Sequence, residues 1–253
     1  MTVGLVGAGN MARALARGWA EPILCTDGGS GRARALVAEV GGEALADNAE
    51  LARRADIIVL AHKPAQLESV AAGMGGAAAG KLVVSLLARV PHDAVATAYP
   101  GSPVLRVQPN LAVERRCGVS AMGAPGDDAG PELAQSAREL FARVGTVVVV
   151  SDHLIDVASA CSGVGPAYWS LLVEAQVDAA VRSGLTPAQA STLVGETMAG
   201  TAQLLRDRDW DTLAVRREVA SPGGTTARGL AALERGGVRA AFSEAIDDVL
   251  APR

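Results

Sequence analysis

Lysine is almost missing from this chain: Lys63 and Lys81 are the only two among 253 residues, and the second half has none. That half therefore offers no lysine to act as a proton donor. Histidine is scarce too, and His62, His92 and His153 fall in separate segments, so no ligand cluster for a metal is expected. His153, just after the last predicted strand, reads as a surface or capping residue. The three cysteines, Cys25, Cys117 and Cys161, are scattered and lack the paired spacing of zinc or redox motifs. Each is expected to be a small buried residue in a reducing cytoplasm. Aromatics make up 3% and the net charge is −4, with a pI near 5.5. Without basic runs or aromatic platforms, nucleic-acid binding is excluded. No apolar run is long enough to span a bilayer, since Tyr168–Val181 is interrupted by Glu174 and Asp178. Strand-like sequence starts at Thr2, which leaves no room for a targeting peptide and points to the cytoplasm.

What the chain does have is Ala, Val and Leu: 49% of it is hydrophobic. Thr2–Val6 reads as a strand, followed by Gly7-Ala8-Gly9-Asn10-Met11-Ala12 and a helix to about Ala20. Strand, glycine turn and helix are the context a dinucleotide-binding G-x-G-x-x-G/A motif requires. Gly7 makes the turn, Gly9 admits a pyrophosphate at the helix N-terminus, and Ala12 lets helix pack on strand. The next strand, Pro22–Thr26, ends at Asp27, about twenty residues after Gly7, where an acidic residue meets the adenosine ribose. Further alternation follows, with a helix at Gly31–Val40, a short strand at Glu43–Leu45 and a helix at Asp47–Arg54. The buried strand at Asp56–Ala61 runs into His62-Lys63-Pro64, at the strand end where doubly wound folds hold ligands. Gly73–Gly80 reads as a loop. Strands at Lys81–Leu87, Val104–Val107, Val119–Met122 and Thr146–Val150, with helices from Pro91 and from Pro131 to Val144, complete the sheet.

Beyond Ser151 the strand signals stop. Helices are predicted at about Leu154–Ala160, Pro166–Ser183, Pro187–Arg206, Asp211–Glu218, Gly223–Arg235 and Val238–Leu250. The fold class is thus an α/β Rossmann-type nucleotide-binding domain, residues 1–151, followed by an all-helical domain, residues 152–253. On the helix from Pro166, Ser170, Glu174, Asp178 and Arg182 form one narrow polar stripe, and nearly everything else is apolar. A helix apolar over so wide an arc must be buried on several sides, and a second subunit is the expected cover. The second domain therefore reads as a homodimerisation module, with higher oligomers open.

A nucleotide-binding half implies hydride transfer. Reduction of a ketone needs an acid, yet the second half has no lysine, and Tyr168 is followed four residues later by Leu172 rather than lysine. A cyclic imine has different needs, because it can bind already protonated and hydride addition then neutralises charge. Such a site wants a carboxylate anchor, a hydroxyl near the nitrogen and exclusion of water. Ser221-Pro222-Gly223-Gly224-Thr225-Thr226 supplies glycine amides at a helix N-terminus, suited to an anion, and two hydroxyls.

That stretch, with Cys161-Ser162-Gly163-Val164-Gly165-Pro166-Ala167-Tyr168, resembles pyrroline-5-carboxylate reductase, the last enzyme of proline synthesis. The resemblance spans the chain, since Gly7–Ala12, Ala61–Pro64 and Pro109-Asn110 fall in family order. It implies interlocked helical domains in a dimer and NADPH or NADH as cofactor. It places Ser221, Gly223, Gly224 and Thr225 around the substrate carboxylate and Thr226 on the ring nitrogen as the catalytic hydroxyl. It also places Val6, Gly7, Ala8, Gly9, Asn10, Met11, Asn48, Ala61, His62, Lys63 and Pro64 on the cofactor, alongside Asp27. Asp27 favours NADH, while Arg32 and Arg34 could pair with the 2′-phosphate of NADPH.

Three places depart from the family pattern. His62 replaces a common valine, Leu86-Leu87-Ala88-Arg89 is bulkier than the usual small residues, and Gln108-Pro109-Asn110-Leu111-Ala112 replaces Met-Pro-Asn-Thr-Pro. Two alternatives follow: a reductase of another cyclic imine, or a non-catalytic nucleotide-binding dimer in which the Leu86–Arg89 bulk blocks nicotinamide.

Overall fold

A computed structural model describes residues 1–126 and 129–251. The chain forms two compact units, Met1–Pro166 and Ala167–Arg253. The first is built on an eight-stranded sheet of order β3-β2-β1-β4-β5-β6-β7-β8. The strands are β1 (Val3–Val6), β2 (Ile23–Thr26), β3 (Gly42–Ala44), β4 (Ile57–Leu60), β5 (Leu82–Ser85), β6 (Val104–Pro109), β7 (Gly118–Gly123) and β8 (Gly145–Val150). All neighbours pair parallel except β6 and β7, whose antiparallel register sets Gln108 opposite Ala121. Only a short 3₁₀ segment, Leu111–Arg115, joins these two strands, too short for a parallel crossover. The chain therefore doubles back, a reversal the strand pattern did not reveal.

Helices cover both faces. On one, α1 (Asn10–Trp19), α2 (Arg32–Val40) and α6 (Pro131–Ala142) pack on the strands, burying Leu15, Leu36 and Phe141 against Leu5, Val59 and Val84. Trp19 meets Phe141 edge to face at 5.9 Å, and its indole nitrogen donates to the Leu140 carbonyl at 3.0 Å. On the other face, α3 (Asn48–Arg54), α4 (Leu67–Met74) and α5 (His92–Ala98) bring Leu51, Met74 and Val95 to Val6, Ile58 and Val83. Strands buried on both faces explain the unbroken apolar runs. Helix α4 is absent from the sequence reading; it ends at Met74 with Gly75 as its left-handed cap, and only the turns beyond it match the expected loop.

The first unit runs past Ser151 to Pro166, because α7 (Ile155–Ser162) packs on β6 and β7. The tie is ionic as well as apolar. Arg106, on β6 and only 4% exposed, donates to the Asp152 carboxylate at 3.1 Å and to the Asp156 carboxylate at 2.9 Å. The cysteines also need correcting: Cys25 is buried, its thiol pushed up to about 12 by burial, whereas Cys117 and Cys161 are exposed. Cys117 follows a left-handed Arg116 in a surface turn, and Cys161 lies in the last turn of α7.

The remaining helices are α8 (Gly165–Arg182), α9 (Pro187–Asp207), α10 (Thr212–Val219), α11 (Thr225–Arg235) and α12 (Val238–Leu250). Local signals define them. Thr186 and Gln189 exchange the two bonds of a capping box at the start of α9, and Asp211 accepts from Leu213 and Ala214 to cap α10. Tyr168 and Trp169 both approach Phe242, which links α8 to α12. No described helix is long and apolar enough to cross a membrane.

Candidate active site

The glycine turn after β1 is fixed by the ends of its neighbours. Gly7 sits at φ 108 and donates to the Thr26 carbonyl at 2.8 Å, while Ala61 donates to Val6 at 2.9 Å. A side chain on Gly7 would come within 2.8 Å of the Ala61 and His62 backbone, so only glycine fits there. Gly9 is the extended N-cap of α1 and makes no side-chain capping bond, which leaves the first amides of that helix without intrahelical acceptors. Val6 and Ala8 are buried and can offer a ligand only backbone; Met11 packs against the core, and Asn10 is exposed. Ala12 is fully buried, where helix meets strand.

Thr26, Asp27 and Asn48 gather at the same sheet edge. The Thr26 hydroxyl donates to the Asn48 side-chain oxygen at 2.7 Å. The Asp27 carboxylate accepts from the Gly29 and Ala33 amides at 2.9 Å and from the Ser30 hydroxyl at 2.8 Å. Burial pushes the Asp27 pKa up, but these bonds outweigh it and hold the carboxyl below its ordinary value. The carboxylate thus already organises the turn into α2, which sequence spacing alone did not suggest.

The ends of β4, β5 and β6 form the other half of this edge. His62 and Lys63 leave β4, and Lys63 donates its amide to Gln66 as Pro64 opens a 3₁₀ turn. His62 Nδ1 lies 3.0 Å from the Lys63 carbonyl, and its Nε2 is buried without a partner among the described residues. Burial lowers the His62 pKa, partly opposed by that carbonyl, which favours the neutral ring. Gln108, near the end of β6, is buried with its Nε2 likewise unpartnered. Sequence patterning marks Gln108 only as a departure; what distinguishes it is a buried amide nitrogen left without a partner on a strand buried along its whole length. The Leu86–Arg89 bulk is largely absorbed inward, with Leu87 in one core and Leu86 packed against the other. Orphaned polar atoms at β4 and β6, and an open helix N-terminus after β1, fit the two halves of a dinucleotide.

In the second unit, Gly224 is the N-cap of α11, with Thr225 and Thr226 as its first two helical residues. Gly224 donates to the Ser221 carbonyl at 3.1 Å, closing a turn in which Gly223 adopts φ 71. No side chain caps this helix, and Ser221, Thr225 and Thr226 are exposed. Its leading amides are therefore free for an anion.

Fold and site define a dinucleotide-binding α/β protein with a helical second unit. Residues 2–89 match the family model for the NADP oxidoreductase, coenzyme F420-dependent, and residues 152–251 match that for pyrroline-5-carboxylate reductase dimerisation. The pyrroline-5-carboxylate reductase of Methanosarcina acetivorans is 36% identical over 253 residues, covering 96% of this chain and 93% of that protein. Among solved structures, Plasmodium falciparum pyrroline carboxylate reductase with NADP bound superposes with a TM-score of 0.89 at 25% identity, over 98% of this chain and 95% of that one. The Coxiella burnetii pyrroline-5-carboxylate reductase gives 0.88 at 29%, with 98% and 95% covered. The chain belongs to the pyrroline-5-carboxylate reductase family.

Proposed function

We propose that this protein reduces 1-pyrroline-5-carboxylate to L-proline with NADPH or NADH. What carries the reading is relatedness, over 96% of the chain, to an enzyme named for this substrate. That relatedness weighs against a different cyclic imine as substrate. A bound nicotinamide supplies hydride, which adds to the carbon of the protonated C=N bond and leaves a neutral ring amine. Because the product nitrogen is neutral, the site needs no strong acid, in keeping with the scarcity of lysine and histidine.

In this reading the turn that Gly224 closes on Ser221 presents the Gly223 and Thr225 amides and the Ser221 hydroxyl to the substrate carboxylate, with Gly224 giving it close backbone approach. Thr226 accepts from the ring N–H and fixes which carbon face meets the hydride. The amides at Gly9, Asn10 and Met11 take the pyrophosphate, with Gly7 and the backbone of Val6 and Ala8 shaping the turn. The Ala61–Pro64 turn holds the nicotinamide side, while Asn48, bonded to Thr26, and Asp27, through the loop it organises, form the adenosine side. The functional division falls near Ser151, and the helical segment pairs with a second copy in a cytoplasmic homodimer. Steady-state oxidation of NADPH and of NADH with the pyrroline substrate tests this. Folded, dimeric protein that turns over neither cofactor would overturn it.

A further inference from the structure

Five buried side-chain nitrogen or oxygen atoms lack a hydrogen-bond partner among the described residues. Two of them, His62 Nε2 and Gln108 Nε2, belong to residues at the carboxyl ends of β4 and β6, the strands on either side of β5. The last β5 residue, Ser85, pairs with Arg106, so Gln108 extends past the end of β5. Adjacent strands stand about 4.8 Å apart, so β4 and β6 are separated by about 9.6 Å, a gap that two side chains can close around a small polar group.

The chemistry of the two atoms is complementary. The Lys63 carbonyl near His62 Nδ1 can only accept, so Nδ1 carries the ring proton and Nε2 of the neutral ring is an acceptor. Gln108 Nε2 is a donor. A buried donor and a buried acceptor at the ends of the two strands flanking β5 are each costly when unmet, and together they match a primary carboxamide, which offers one oxygen to accept and one NH₂ to donate. We propose that Gln108 donates to the carboxamide oxygen of the nicotinamide and His62 Nε2 accepts from its NH₂, so that this pair sets the rotation of the ring and the face it presents. The proposal rests on the cofactor reading above. It also unites two departures from the family pattern, histidine for valine and glutamine for methionine, as one polar replacement.

Binding to the full-length protein, measured by calorimetry, separates the two bonds. The probes are NADP⁺, its 3-acetylpyridine analogue, which keeps the carbonyl but has no NH₂, and 2′-phospho-ADP-ribose, which lacks the ring. Gln108→Met should bind both NADP⁺ and the analogue about three- to ten-fold more weakly. His62→Val should weaken NADP⁺ by a similar factor and leave the analogue unchanged. Neither should alter 2′-phospho-ADP-ribose. Gln108→Glu, which keeps the shape and replaces the donor with an acceptor, should lose at least as much as Met and decides the matter if the methionine variant folds poorly. Wild-type affinity for NADP⁺ in either variant, or an equal loss for the ringless probe, overturns the assignment. Wild-type protein that binds neither NADP⁺ nor NAD⁺ overturns the cofactor reading itself and this inference with it.

Discussion

The two units solve the problem of apolar surface in opposite ways. In the first, strands are sandwiched between helices, and side chains such as Phe141, Leu15 and Leu60 are fully buried. In the second, Ala190 alone is buried among the described residues, while Trp169, Leu171, Leu193 and Trp210 are all more than half exposed. Two helices of the second unit, α9 and α10, carry side-chain caps, but a cap contributes only about 1 kcal/mol. Leaving a large apolar side chain exposed forgoes roughly 1.5–3 kcal/mol. The first unit thus contains its own core, whereas the second leaves large apolar side chains uncovered. The dimerisation family model over residues 152–251 accords with a second copy as the cover.

The sharpest way to break this contrast is a charge on the exposed helices. Leu171→Asp should abolish self-association in sedimentation experiments and lower turnover at least about 100-fold, because a buried unpaired charge costs several kcal/mol. Phe141→Ala should cost about 3–5 kcal/mol by a fall in Tm that is insensitive to protein concentration. A helical counterpart, Leu193→Ala, should show a Tm loss that depends on concentration, as stability linked to assembly requires. Thr226→Ala should lower kcat roughly ten- to a hundred-fold, the worth of one charge-assisted hydrogen bond, while cofactor affinity, a property of the first unit, stays the same.

The smallest effect concerns pH. His62 titrates below its ordinary value in the folded state, so its contribution to stability is complete above the unfolded pKa of about 6.5. That contribution is lost as pH falls through the folded value. Denaturant midpoints measured from pH 7.5 down to 5 should therefore fall less steeply in His62→Val than in the wild type.

Much of the architecture was legible because it is local. The Gly7 turn and the spans of α3, α9 and α12 each depend on a few neighbouring residues, and the sequence placed them well. The antiparallel β7 was not legible, since strand direction is decided by the length of the link after Pro109 rather than by the apolar pattern. Helix α4 was hidden by Gly73 and the glycines beyond it, which read as loop. Exposure of Cys117 and Cys161 depends on which way a turn and a helix end face, and composition does not encode that. Within the site, the glycine turns announced themselves as motifs, whereas the orphaned amide of Gln108 becomes visible only once its strand is seen to be buried. The saturation of Asp27 by its own loop is likewise a tertiary fact.

The tie from Arg106 to Asp152 and Asp156 bears on how this chain can be taken apart. A fragment ending at Ser151, where the strands stop, would keep the guanidinium and discard both carboxylates. Stranding a buried charge in this way costs about 3–5 kcal/mol, a large share of what holds a domain together. A fragment ending at Pro166 keeps all three groups. The first half therefore travels as a module only with α7 attached, and a shuffled or transplanted nucleotide-binding half should be cut after that helix, not before it.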